Sequence, residues 1–186
     1  MVHSDFKAAA DVIQRGGVIA YPAEACFGLG CDPRNQQAIE RIRKLKNRGA
    51  AQGFILVADT LDRLQPYLDW KALDVQQRLR ISDSWPGPVS WLIPASSRAG
   101  PELTGLHDTL AVRISAFETL HDLCRSLQSP LLSTSANYKG QAPLLNAADV
   151  ATKFADEIDY IIDLPIQGLD QPSQIIDART LNIIRA

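Results

Sequence analysis

Segments with helical periodicity alternate with short apolar runs along all 186 residues. This alternation predicts an α/β domain with a mixed, twisted sheet flanked by helices. Hydrophobic residues make up 46% and charged residues 22%, enough apolar material to fill a core at this length. No internal repeat, low-complexity tract or linker interrupts the chain, so residues 1–186 are expected to form a single domain.

The elements follow in order. Phe6, Ala9, Ala10 and Ile13 share one face of a helix expected over residues 4–15, which Gly16-Gly17 ends. Val18 to Pro22 reads as a strand stopped by its proline. Residues 35–46 form a strongly amphipathic helix, with Ala38, Ile39, Ile42 and Leu45 along its buried stripe. Phe54 to Ala58 is an apolar strand, and helical patterns follow over 60–68 and 71–82. Val89 to Pro94 and residues 109–115 read as strands rich in β-formers. A helix over 117–127 leads into the apolar run that starts at Pro130. Asn146 is placed to cap a helix reaching residue 156, and strands near 158–164, 173–178 and 182–186 close the chain.

Composition excludes several classes of function. A net charge of −2 provides no whole-protein basic field, so any RNA contact needs a local patch. The apolar runs are too short to cross a bilayer, and Met1 to Asp5 has neither a basic start nor a hydrophobic continuation. A cytoplasmic protein without signal peptide is expected. The three cysteines, Cys26, Cys31 and Cys124, are expected to be free thiols; Cys26 and Cys31 have no second pair or neighbouring histidine to complete a zinc site. Of the histidines, His3 is expected in a frayed end and His121 on a helix surface, and neither they nor His107 sits in a nucleophile–base arrangement. There is no phosphate-binding loop and no dinucleotide fingerprint, since Gly28-Leu29-Gly30 lacks the third glycine. A nucleotide would have to be held by a less common architecture.

Candidate functional residues cluster in a few segments. The run from Pro130 ends in Ser133-Thr134-Ser135-Ala136-Asn137, neutral donors and acceptors that suit a phosphate, a carboxylate or a base edge, or else an ordinary strand-to-turn transition. Lys46 extends the buried stripe of its helix. It either snorkels over the helix C-terminus or aims its ammonium into a cleft. Lys46-Asn47-Arg48-Gly49 suits two cations over a phosphate chain, while Arg41, Lys44 and Arg48 read most simply as a solvated face. Arg113 points away from Leu110, Val112 and Ile114 in its strand and needs an anionic partner, from protein or ligand. Trp85-Pro86-Gly87-Pro88-Val89-Ser90 is a rigid turn expected to shape a site rather than act in it, and Pro172-Ser173 puts a serine at a strand start.

Together these segments resemble the YrdC family, the threonylcarbamoyl-AMP synthases. The matching stretches are Tyr21 to Asp32, Leu45 to Arg48, Trp85 to Ser90, Ala111 to Ile114, Ser133 to Asn137 and Pro172-Ser173, in family order. The length resembles the short bacterial form. The resemblance implies a concave, positively lined cavity and a nucleotidyltransferase reaction. In it, L-threonine, bicarbonate or CO2, and ATP give threonylcarbamoyl-adenylate and pyrophosphate, with Mg2+ accompanying the triphosphate and no dedicated metal site. A separate transferase complex then modifies tRNA beside the anticodon, with a weak contact between tRNA and this protein allowed. By the same resemblance Lys46 and Arg48 take the ATP phosphates, and Ser135 and Asn137 the nucleotide side. Arg113 takes the threonine carboxylate or carbamate, Ser133, Thr134 and Ser173 complete the polar wall, and Tyr21 lines the threonine pocket. Ala23 stands where the family usually has threonine, a loss of about 1 kcal/mol of binding if nothing replaces the hydroxyl. Gly49 replaces a frequent proline, which implies a looser loop. The competing reading is a non-catalytic RNA-binding module using Arg41, Arg43, Lys44, Lys46 and Arg48 on phosphates.

Overall fold

The computed structural model describes residues 2–3 and 5–185. Among these, one mixed sheet of ten strands organises the chain. In chain order the elements are β1 (Val2–His3), α1 (Phe6–Gln14), β2 (Ile19–Pro22), β3 (Phe27–Cys31), α2 (Gln36–Leu45), β4 (Ile55–Ala58), α3 (Leu61–Leu64) and α4 (Val75–Asp83). Then come β5 (Val89–Pro94), α5 (Pro101–Thr104), β6 (Thr109–Ile114), α6 (Glu118–Leu127), β7 (Leu131–Ser135), α7 (Ala147–Phe154), β8 (Tyr160–Ile162), β9 (Gln174–Asp177) and β10 (Ile183–Arg185). The sheet order is β1-β8-β2-β3-β7-β4-β6-β5-β9-β10. The central β2-β3-β7-β4 run is antiparallel, whereas β4 pairs β6, and β5 pairs β9, in parallel.

Alternation along the strands sorts side chains into two apolar layers. Ile19, Tyr21, Val57, Leu131 and Ile162 pack under α1 and α6, against Ala9, Ile13, Leu120 and Leu123. Ala20, Leu56, Leu132, Val112 and Ile161 face the other way, onto Ala38, Ile39 and Ile42 of α2 and Val150 and Phe154 of α7. Local chemistry sets the helix ends. Asp5 caps α1, Asn35 caps α2 and Asn146 accepts from the Asp149 amide at the start of α7. Gly16, at φ +86°, closes α1 in the left-handed region.

The sequence expectations need adjusting in a few places. Val2–His3 is not frayed: its backbone pairs in parallel with Ile161 and Ile162. The helix expected over 60–68 is cut to α3, followed by a 3₁₀ turn at Gln65–Tyr67, because Pro66 has no amide to continue it. The helix expected from residue 71 begins at Val75, where Asp74 and Gln77 form a reciprocal capping box. Strand β3 and the short α5 were not foreseen. Ser4 and Ala186, at the bounds of the expected first helix and last strand, lie outside the described residues. No helix among the described residues is long and apolar enough to cross a membrane.

Candidate active site

Beyond the area that α1 and α6 cover, the same sheet face is open and polar. A cavity of about 240 Å³ lies there, lined among others by Ala23, Glu24, Cys26, Arg48, Arg113 and Ser133 to Ser135, with Ser173 and Arg185 from the far side. Strand β7 supplies the floor. Leu131 and Leu132 are buried in the two apolar layers, and Ser133 and Ser135 continue the Leu131 row into the cavity.

Tyr21 explains why β3 carries two glycines. A Cβ on Gly28 would sit 2.8 Å from the Tyr21 ring, and one on Gly30 would meet the same ring at 2.8 Å. The ring therefore lies across bare backbone, and its hydroxyl donates to Ser133 Oγ at 2.5 Å. Tyr21 is fully buried, and burial pushes its phenol well above the ordinary range. It stands at the edge of the cavity, behind Ser133, and is not among the residues that line it.

Lys46 is the C-cap of α2 and is nearly buried. Its ammonium donates to Ser135 O at 2.8 Å, to Asn137 O at 2.5 Å and to Asn137 Oδ1. Both alternatives for this lysine are thus resolved: it crosses from the helix end to the exit of β7. Burial, and then neighbouring Arg48, bring its pKa down to about 8. Asn137 Oδ1 also accepts from Ser135 Oγ at 2.8 Å, and its amide donates to Gln141 O at 2.5 Å. Lys46 and Asn137 stand one layer behind the residues that face the cavity.

Arg48 does face it. After Lys46 the chain leaves the helix through Asn47, at φ +44°, which takes Arg48 out of register with Arg41 and Lys44. Its guanidinium lies 4.8 Å from the Phe54 ring centre, where Arg43 also stacks at 5.0 Å. The solvated-face reading holds for Lys44, which is exposed, and is corrected for Arg48, which turns to the cavity. Arg41 pairs with Asp159 at 2.8 Å, and Arg43 donates to Gly49 O at 2.8 Å, Gln52 O at 3.1 Å and Glu102 O at 2.9 Å. That last set also ties down the loop for which Gly49 had implied looseness.

Arg113 has a protein partner. Its Nη2 donates to Glu24 Oε2 at 3.0 Å, and Ser115 Oγ donates to Glu24 Oε1 at 2.7 Å. Both the ion pair and the cavity claim this arginine, which lines the site while paired. Ser173 Oγ lies 2.9 Å from Ser90 Oγ, and its carbonyl accepts from Arg185 at 2.6 Å. The turn at Trp85 to Ser90 lies behind this wall and touches it through Ser90, and is itself held by Trp85 Nε1 donating to Val89 O and Gly87 N to Ile114 O.

Sequence reasoning did not place Glu24, Cys26 or Arg185 in the site. Glu24 and Cys26 lie inside the quoted Tyr21 to Asp32 stretch. Arg185 carried no signal, because only the β9–β10 hairpin turns the penultimate residue toward Ser173. Cys26, Cys31 and Cys124 are free, and burial raises all three thiols. His121 lies on α6 with a ring nitrogen 3.2 Å from Arg125 Nη2. A wider groove of about 750 Å³ opens at the other ends of β3 and β4, beside Arg34, Arg63 and Arg98. It holds none of the expected site residues, and Asp32 and Asp59 already take Arg34 and Arg63 at 2.7 and 2.5 Å.

Known proteins place this geometry in context. The family model for Sua5, YciO and YrdC proteins, described as telomere recombination, matches residues 11–186. A protein of Thiobacillus denitrificans named threonylcarbamoyl-AMP synthase is 48% identical over 174 residues, 94% of this chain and 91% of that one. One of the same name from Pseudoalteromonas translucida is 41% identical over 98% of this chain and 97% of its own. Among solved structures, Sua5 of P. abyssi complexed with L-threonine superposes with a TM-score of 0.85 at 29% identity, over 92% of this chain and 50% of that longer one. YciO of E. coli shares the fold, with a TM-score of 0.85 at 21% identity over 100% of this chain and 92% of its own. With its strand order, its polar cavity and a match along nearly its whole length, this chain belongs to the Sua5/YciO/YrdC family.

Proposed function

We propose that this chain is a threonylcarbamoyl-AMP synthase, joining L-threonine, bicarbonate or CO2, and ATP into threonylcarbamoyl-adenylate with release of pyrophosphate. The observation that carries the reading is a convergence on one cavity: three arginines, Arg48, Arg113 and Arg185, meet the hydroxyl-bearing Ser133, Thr134, Ser135 and Ser173. In this chemistry the threonine amine captures CO2, a carbamate oxygen attacks the α-phosphate, and pyrophosphate leaves. The substrate brings the nucleophile. The protein has to align three anionic pieces and neutralise their charge, which fixed guanidiniums and hydroxyls do without a catalytic dyad.

In this reading Arg48 and Lys46 hold the triphosphate, with Lys46 exchanging its carbonyl partners for phosphate oxygens. Ser135 and Asn137 form the nucleotide side. Arg113 receives the threonine carboxylate or the carbamate, flanked by Ser133, Thr134 and Ser173, and Tyr21 acts through Ser133. Glu24 is the sole carboxylate among the described lining residues, and Arg113 and Ser115 occupy both of its oxygens. Magnesium therefore enters with the triphosphate, as part of the substrate. The product passes, in the cytoplasm, to a separate transferase complex that modifies tRNA beside the anticodon. The RNA-binding alternative is the weaker reading, since its five cations do not form one free basic face: Arg41 pairs with Asp159, Arg43 donates to backbone carbonyls, and Arg48 faces the cavity.

Pyrophosphate release by the purified protein tests the proposal. Release that requires threonine and bicarbonate together, and is abolished in folded Lys46→Ala and Asn137→Ala variants, is expected. A folded wild-type protein that releases none under any combination would overturn it.

A further inference from the structure

The Glu24–Arg113 pair is built in a way that simple charge neutralisation does not require. Glu24 lies in the loop between β2 and β3, Arg113 near the end of β6, and they are 5% and 8% exposed. Arg113 Nη2 holds one carboxylate oxygen and Ser115 Oγ the other. Ser115 Oγ in turn accepts from the Phe117 amide at 3.0 Å, and Phe117 is the residue from which α6 starts. The carboxylate is thus clamped at both oxygens and referenced to a helix terminus.

The arginine is clamped on one side only. Its Nε is buried and has no hydrogen-bond partner among the described residues. Arg185 lies on the same cavity, and burial followed by Arg113 holds its guanidinium below the usual range. Two guanidiniums and one carboxylate therefore line that part of the wall, and only Arg113 bonds the carboxylate while Arg185 donates to Ser173, which leaves net positive charge there. A planar guanidinium has five donors in a rigid fork, so fixing one edge decides which donors are left for a ligand. An anionic oxygen entering the cavity meets that fork already oriented.

We propose that Glu24 is a positioning residue, which acts through Arg113 by fixing the guanidinium edge offered to the substrate carboxylate, with Ser115 fixing Glu24 in turn. The inference rests on the synthase reading above, in which Arg113 receives threonine or its carbamate while ATP is held elsewhere. Losing Glu24 should then harm threonine selectively, which a merely structural role would not do.

Steady-state kinetics of pyrophosphate release, with threonine and ATP varied separately, test this. Glu24→Gln keeps the side-chain size and one acceptor but removes the charge. Its KM for threonine is expected to rise about tenfold, with KM for ATP within about twofold of wild type. In an Arg113→Lys background, which retains the charge but breaks the fork, adding Glu24→Gln is expected to change the threonine KM less than about twofold. Should Glu24→Gln not fold, Ser115→Ala decides: it leaves the charge pair in place and is expected to raise the threonine KM about threefold. Equal rises for both substrates, full multiplication of the two losses, or an unchanged threonine KM in Ser115→Ala would each overturn the proposal. A wild-type protein without synthase activity fails at an earlier step, before any variant is compared, and takes the proposal with the reading.

Discussion

One face of the sheet carries two environments that meet within a single strand. Leu131 and Ser133 are two residues apart on β7 and point the same way. Leu131 lies in a layer with Ala9, Ile13, Leu120 and Leu123, covered by α1 and α6. Ser133 lies beyond that cover, with Arg113 and Ser135 around one cavity. Tyr21 spans the seam, with its ring in the apolar layer and its hydroxyl on Ser133. The roofed half is held by the burial of apolar surface, which is tolerant in detail. The open half is held by specific pairs: Tyr21–Ser133, Ser90–Ser173 and Arg113–Glu24–Ser115. Each satisfies a polar group that would otherwise be costly to bury. Stability and site geometry thus draw on different halves of the same surface.

If so, the halves separate under mutation. The largest effect is expected from Leu123→Ala in the roofed half, where the side chain is fully buried. It should cost about 2–5 kcal/mol of stability by urea denaturation and leave both KM values of the folded enzyme unchanged. A changed threonine KM would show the halves to be coupled. Tyr21→Phe acts at the seam. It keeps the ring in the apolar layer and removes the donor to Ser133, for about 1 kcal/mol of stability. Because Ser133 faces the cavity, the threonine KM should rise as well, and a loss of stability alone would place Tyr21 wholly with the roofed half.

How much of this was legible beforehand differs between the halves. The roofed half was readable because it obeys one period. Phe6, Ala9, Ala10 and Ile13 announce a helix face, and Leu131 lies in an apolar run that needs cover. The open half came through residues whose types fit no core, namely Arg113, the Ser133 to Asn137 run and Lys46-Asn47-Arg48, so the site could be placed, but its wiring could not. Lys46 crossing to Ser135 and Asn137, 89 and 91 positions away, is a matter of tertiary packing. Strand β3 escaped notice because Gly28 and Gly30 are poor strand residues in isolation. They are required only once Tyr21 lies across them. Arg185 was invisible for a similar reason, since a penultimate arginine acquires meaning only from the hairpin that turns it inward.

The smallest effect belongs to Lys46, and it sharpens the electrostatics of the open half. With no carboxylate among its three acceptors, the ammonium is held by neutral oxygens, and burial sets its pKa at about 8. The folded protein therefore binds fewer protons than the unfolded chain between about pH 8 and the ordinary lysine value near 10.4. For this group alone stability rises with pH across that window, because the unfolded chain must first be deprotonated. Ligand binding has the opposite sign. A triphosphate beside Lys46 favours the charged form and raises its pKa, so binding takes up protons where the free enzyme has lost them. From pH 7 to 8.5 the charged fraction of free Lys46 falls from about nine-tenths to about one quarter, and MgATP affinity should weaken roughly fourfold. Calorimetric titrations in two buffers of different ionisation enthalpy should register proton uptake at pH 8.5 and almost none at pH 6.5. A Lys46→Arg variant, whose guanidinium does not titrate in this range, should give a flat profile. Proton release at pH 8.5, or an unchanged pH dependence in Lys46→Arg, would remove Lys46 from the triphosphate site and leave it as the brace of β7 alone.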